Sequence, residues 1–193
     1  MDTVCGIDEV GRGPLAGPVV AAAVVLTPGT SLPGLKDSKK LSPEERERLF
    51  PLIQEAAAAV GVGWAWPHEV DRLNIHNATL KAMERAYEML IQKLSPSLVP
   101  TEVVIDGRHA PPSITHARAV VKADTFVPEV MAASIVAKVF RDEWMKIYHR
   151  FLPEYTFSQH KGYPTRLHRE RILTIGSCPI HRRTFLVRAA RSP

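Results

Sequence analysis

Short β-branched apolar runs separated by Gly/Pro-rich turns open the chain, and longer stretches with helical spacing follow. Thr3 to Val10 and Val19 to Leu26 read as two strands, with a Gly/Pro stretch from Gly11 to Pro18 between them. Ser42, Pro43 and Glu45 combine an N-cap, a proline at the first helical position and a capping-box acid. They predict a helix to about Ala58, bent at Pro51. Val60 to Trp66 reads as a third strand. Asn74 is placed to cap a long helix to about Leu94, with Ala78, Met83, Ala86, Tyr87 and Leu90 toward one side, and Pro96 and Pro100 end it. Glu102 to Ile105 reads as a buried strand running into Asp106-Gly107, and Ala117 to Lys122 as another running into Asp124. Pro128 opens a helix to roughly Tyr148, whose Ala132, Ala133 and Ala137 let it lie close on a sheet. After Phe151-Leu152-Pro153, Gln159 to Thr165 reads as a loop, with shorter helical pieces beyond. The order predicts an α/β fold with a mixed sheet.

Composition narrows the class. A chain of 193 residues that is 45% hydrophobic and 23% charged can bury a substantial core as one domain. It shows no apolar run of transmembrane length and no charged-then-apolar leader, so a soluble, cytoplasmic protein is expected and a membrane or disordered class is not. Cys5 and Cys178 lie far apart, which argues against a disulfide framework or a cysteine-rich zinc site. Nothing marks a dimer seam, and a monomer is expected. The formal charge of +5 is uneven: residues 138–193 carry a net +8 and residues 1–137 a net −3. That asymmetry fits either a solvated basic surface or a polyanionic partner drawn to the tail.

The unusual chemistry is acid where strands should be apolar. Asp8-Glu9 closes the first strand, Asp106 the fourth, and Asp124 follows the fifth. If these ends lie side by side, the carboxylates repel one another and call for a cation, and hard oxygen ligands favour Mg²⁺ or Mn²⁺ over zinc. A single acid of this kind is more often a turn or helix cap; the recurrence at strand ends weakens that reading. Neighbours on a regular strand face opposite ways, so Asp8 and Glu9 share one site only if the strand ends or bulges there. Gly11-Arg12-Gly13 is not a dinucleotide loop, because a strand rather than a helix follows and the adjacent acids would repel a pyrophosphate. It can instead bring backbone against a ligand, with Arg12 set for phosphate or sugar. His160-Lys161-Gly162-Tyr163 offers phosphate contacts and a stacking face.

Taken together, Gly6 to Val19 (GIDEVGRGPLAGPV), Asp37-Ser38-Lys39-Lys40-Leu41-Ser42, Asn74-Ile75, Asp106-Gly107, Lys122-Ala123-Asp124, Ala132 to Lys138 with Arg141-Asp142, and His160 to Tyr163 resemble, in order, the motifs of ribonuclease HII, the type 2 ribonucleases H. The resemblance spans nearly the whole chain. It implies a ribonuclease H-like mixed sheet flanked by helices (about residues 1–150) and a small basic C-terminal loop and helical part (about 151–193). It implies an endonuclease that hydrolyses the RNA strand of RNA–DNA hybrids. It would also cut 5′ of single ribonucleotides in duplex DNA, leaving 5′-phosphate and 3′-hydroxyl ends. The family's catalytic, metal-holding carboxylates map to Asp8, Glu9, Asp106 and Asp124, with two Mg²⁺ or Mn²⁺ ions present with substrate. Its Gly-Arg-Gly motif maps to Gly11, Arg12 and Gly13, and its junction-sensing tyrosine to Tyr163. Lys39, Lys161 and the basic tail would meet phosphates.

Two stretches depart from the commonest pattern of that family: Thr125 to Met131, where small polar residues are frequent, and Pro164, where glycine is. The first bears on the path of the loop carrying Asp124, and the second restricts Tyr163 toward extended backbone. The competing readings are a type 1 ribonuclease H or junction resolvase, a hybrid-binding module without turnover, and a small-molecule metal phosphatase.

Overall fold

A computed structural model describes residues 3–36 and 38–189; Asp37 of the Asp37-to-Ser42 block and Arg191 of the basic tail lie outside them. Among the described residues five strands form one sheet: β1 (Val4–Val10), β2 (Val19–Leu26), β3 (Ala57–Ala65), β4 (Glu102–Asp106) and β5 (Ala117–Val120). Their order is β3-β2-β1-β4-β5. β1, β2 and β3 pair antiparallel, and β4 and β5 join parallel to β1, so the mixed sheet is as predicted. The helices are α1 (Pro43–Ala56), α2 (Pro67–Lys93), α3 (Pro128–Phe151), α4 (Phe157–His160), α5 (Arg166–Ile175) and α6 (Arg183–Ala189). No helix of the described residues is long and apolar enough to cross a membrane.

Strand alternation divides the core between the two faces. On one, Cys5, Ile7, Ala21, Ala23, Val103 and Ile105 meet Ala78, Ala82, Met83, Ala86 and Leu90 of α2. On the other, Val20, Ala22 and Val24 meet Leu49 and Ile53 of α1 and Ala132, Ala133, Ile135 and Val136 of α3. Each fully buried Leu, Ile or Val contributes roughly 1.5–3 kcal/mol. α3 crosses so close over β1 that a Cβ at Gly6 would overlap the backbone at Glu129 and Val130. That contact fixes the helix directly above the strand that carries Asp8.

Several boundaries differ from the sequence reading. α1 stops at Ala56, and Ala57 to Ala59 belong to β3, paired with Leu26 and Val25. Alanines favour helix on their own, but pairing to a buried strand overrides that preference. α2 begins at Pro67 rather than at Asn74. Asn74 nevertheless breaks it, with φ 66° and ψ 166°, and its Oδ1 accepts the Asn77 N–H at 3.1 Å, so it caps the long stretch that follows. β5 ends at Val120 because Lys122 takes a left-handed φ of 63°. α3 continues to Phe151, and Gln159 and His160 are helical.

Candidate active site

β1 and β4 run parallel in a register that pairs Ile7 with Ile105. Asp8 and Asp106 follow side by side, one residue further along their strands. Asp124 joins them from a 3₁₀ turn, Ala123–Thr125, that opens on the left-handed Lys122. One carboxylate oxygen from each of the three lies within 4.8 Å of the others. Asp8 and Asp124 are buried, Asp106 is half-buried, and Asp106 Oδ1 is buried without a hydrogen-bond partner. Burial, then the charge of Glu9 and that of Asp106, drives the Asp8 carboxyl well above the usual range. The Ser134 hydroxyl and the Glu9 N–H, 2.7 Å away, oppose this in part. Asp106 is raised by burial and by Asp124. Three carboxylates facing one another at this depth, with one orphaned oxygen, are what a hard cation would relieve. The loop departure from Thr125 to Met131 does not carry Asp124 away from the others.

Glu9 stands apart from the trio. Pairing of β1 with β2 runs unshifted through Glu9 and Val10, so no bulge turns the side chain toward Asp8. Its carboxylate instead takes the Arg12 Nη1 at 3.2 Å. Burial raises its pKa and Arg12 lowers it, while Asp106 and Lys39 are near enough to act on its charge. Lys39 lies 3.4 Å from Asp124 with most of its side chain in solvent.

The Gly11-to-Pro18 loop is held from below by two fully buried arginines, neither in salt-bridge contact with a carboxylate of the described residues, although Asp142 and Asp71 are near enough to act on their charges. Arg141 of α3 donates to the carbonyls of Pro18 (3.0 Å), Lys161 (3.0 Å) and Ala16 (3.1 Å). Arg182 donates to those of Arg12 (3.0 Å), Gly11 (2.6 Å) and Gly17 (2.8 Å). Gly11 has φ 90°, and a Cβ there would strike the Arg141 side chain, so both its angle and its neighbours require glycine. The tail's charge is therefore not all surface charge: Arg141 and Arg182 face inward, so neither adds to the solvated basic surface or to the charge offered to a polyanion that the sequence suggests. α5 does present exposed Arg166, Arg169 and Arg171.

Tyr163 sits next to this loop, its ring 5.6 Å from the Arg141 guanidinium and 38% exposed. Leu15 N–H to Gly162 O at 2.8 Å ties the two segments together. Tyr163 O accepts from His168 Nδ1 at 2.9 Å. Lys161 turns its ammonium to the Ser158 carbonyl, and burial lowers its pKa. From the sequence, Arg141 stands only in a block resembling the family's motifs, with no role assigned, and Arg182 and His168 are not singled out.

The comparisons with known proteins agree with this architecture. The sequence profile described as "Ribonuclease HII" matches residues 5–188. A ribonuclease HII of Nitrosococcus oceani is 50% identical over 182 residues, 94% of this chain and 88% of that protein. One of Syntrophus aciditrophicus is 47% identical over 188 residues, 97% of this chain and 86% of that protein. Among solved structures, the ribonuclease HII in a PCNA complex from Archaeoglobus fulgidus superposes with TM-score 0.73 at 27% identity, covering 95% of this chain and 94% of its own. Ribonuclease H2 of Pyrococcus horikoshii gives 0.69 at 28%, covering 94% and 93%. The mixed sheet is thus the ribonuclease H-like fold, and an acid trio drawn from β1, the end of β4 and the turn after β5 marks a metal-dependent nuclease. The chain belongs to the ribonuclease HII family, the metal-dependent type 2 ribonucleases H.

Proposed function

We propose that the protein hydrolyses the RNA strand of RNA–DNA hybrids and cuts duplex DNA 5′ of a single embedded ribonucleotide, leaving 3′-hydroxyl and 5′-phosphate ends. The observation that carries this reading is the trio of Asp8, Asp106 and Asp124, with its orphaned oxygen, beside a loop that is open at Gly13. Asp8, Asp106 and Asp124 would hold Mg²⁺ or Mn²⁺, with Glu9 at the margin of the site. Two such ions, bound with substrate, would make water a better nucleophile and favour departure of the 3′-oxygen.

The chain's own groups do the rest. The carboxylates would hold the cations, whose charge relieves their mutual repulsion. Gly11, Arg12 and Gly13 present backbone to the ribose, where glycine is the least obstructed approach to a 2′-hydroxyl. Tyr163 offers an apolar face to the neighbouring sugar that lacks that hydroxyl. Lys39 is within reach of phosphates as well as Asp124, and Lys161 stands close to the Tyr163 loop. Each phosphate neutralised steepens the log–log salt dependence by up to about 0.9.

Cleavage of a labelled duplex with one ribonucleotide, in Mg²⁺, Mn²⁺ or EDTA and beside an all-DNA control, tests the reading. A metal-dependent cut 5′ of the ribonucleotide, lost in Asp106→Asn, is expected. Cleavage confined to long hybrids would favour a type 1 activity, and binding without turnover a non-catalytic module; either result overturns the junction reading.

A further inference from the structure

Arg182 gives its guanidinium to three carbonyls of one loop, among them Gly11 O at 2.6 Å and Arg12 O at 3.0 Å. A trans peptide is planar, and its C=O and the following N–H point opposite ways. Fixing Gly11 O and Arg12 O inward therefore turns the N–H groups of Arg12 and Gly13 outward, toward the exposed side of the loop. Gly13 is open there, with nothing within 4 Å of where a Cβ would sit.

We infer that Arg182 is a positioning residue for ribose recognition: by holding two carbonyls inward it aims the Arg12 and Gly13 N–H groups at the 2′-hydroxyl. The inference rests on the junction reading above and deepens it. Three further features fit the role. Arg182 is fully buried, so it touches no substrate itself. Its backbone is locked to the same loop through Arg182 N–H to Leu15 O at 2.8 Å and the bridge between Ala16 and His181. The Phe185 ring lies 5.2 Å from its guanidinium and closes the other side. A lysine in its place would keep the charge but offers no planar fork to hold carbonyls of three residues at once.

The test compares affinity for a one-ribonucleotide duplex with affinity for the matching all-DNA duplex, in Ca²⁺ to hold back turnover, for wild type, Arg182→Lys and Phe185→Leu. Thermal melting and the amide NMR shifts of Arg12 and Gly13 are followed in parallel. The wild type is expected to favour the ribonucleotide duplex, and Arg182→Lys to lose about tenfold of that preference, as two hydrogen bonds would. Affinity for all-DNA should stay unchanged, and the two amides should shift. Phe185→Leu should do the same to a smaller degree, and it decides the matter if Arg182→Lys does not fold. A preference kept in the folded variants, or an equal loss on both duplexes, overturns the positioning role while leaving the junction reading intact. A wild type that binds both duplexes equally overturns the junction reading and this role with it.

Discussion

The acid trio and the loop beside it bury charge in opposite ways. At the trio, like charges face one another, Asp106 Oδ1 has no partner, and the carboxyl groups of Asp8 and Asp106 are pushed up by burial and by their neighbours. Under the loop, two guanidiniums are buried without a carboxylate in salt-bridge contact among the described residues, yet each is engaged by several carbonyls, at 2.6 to 3.1 Å. Burial and the charge of Arg141 bring Arg182 down to about 9, still charged at neutral pH. The lesson is that burial alone does not mark a reactive site. Charge left uncompensated invites a ligand, whereas charge fully met by backbone builds a frame.

The largest effect should follow from breaking the unmet side. Asp106→Asn is expected to reduce cleavage by at least about 10³-fold, on the scale of losing a group that stabilises the transition state. The same change removes a repelling charge, so the metal-free variant should melt above the wild type. A lower melting temperature in EDTA would show that the trio is not under the strain described here. Breaking the met side should do the reverse. Arg141→Met strands the carbonyls of Pro18, Lys161 and Ala16, at about 1–3 kcal/mol each if they stay dry. A fall in melting temperature of roughly 10 °C is expected from a loss of about 3 kcal/mol in a chain of this size. A variant that melts with the wild type would mean that water replaces the guanidinium without cost.

A smaller effect comes from filling the trio. Mg²⁺ or Mn²⁺ at about 100 times its Kd should stabilise the wild type by roughly 2.7 kcal/mol. Asp106→Asn should lose most of that shift, and Arg182→Lys should retain it, because Arg182 lies in the frame rather than among the acids. Melting curves with and without the ion distinguish the two regions directly.

Much of this contrast was legible in the sequence, but unevenly. Asp8, Asp106 and Asp124 stand out because each interrupts or follows an apolar strand run, and strand periodicity alone brings the ends of parallel neighbours together. The same rule raised the difficulty with Glu9, and the unshifted pairing of β1 leaves that side chain outside the trio. Arg141 had a signal that went unread: Ala133, Ala137, Arg141 and Met145 repeat every four residues along the buried face of α3. A charged residue in that stripe asks what meets it inside. Arg182 had no local signal, since its carbonyl partners Gly17, Arg12 and Gly11 precede it by 165, 170 and 171 residues. Alanine at 57–59 misled for the opposite reason, because its local preference is strong and its long-range pairing stronger.

The mildest expected effect separates the two regions by pH, and its sign differs between them. In the histidine layer under Tyr163, His181 Nδ1 accepts the Cys178 N–H at 2.9 Å. This leaves Nε2–H to donate to His168 Nε2 at 3.0 Å, and His168 Nδ1–H to donate to Tyr163 O at 2.9 Å. Both rings are thereby committed to their neutral forms, and burial holds each down to about 4 from an ordinary 6.5. The unfolded chain binds more protons between those values, so this layer's stability is complete above pH 6.5 and is lost as pH falls toward 4. The carboxyls of Asp8 and Asp106 are raised instead, so in the metal-free protein their contribution is greatest in acid and is lost as pH rises through their folded values. Each fully shifted group adds a slope of up to about 1.4 kcal/mol per pH unit. In EDTA the two regions therefore respond to acidification with opposite signs. Asp106→Asn removes part of one side, so its urea midpoint should fall more steeply on acidification than that of the wild type. Parallel profiles for the two proteins would show that the trio carries no raised carboxyl at Asp106, and the contrast between unmet and met charge would lose its acidic half.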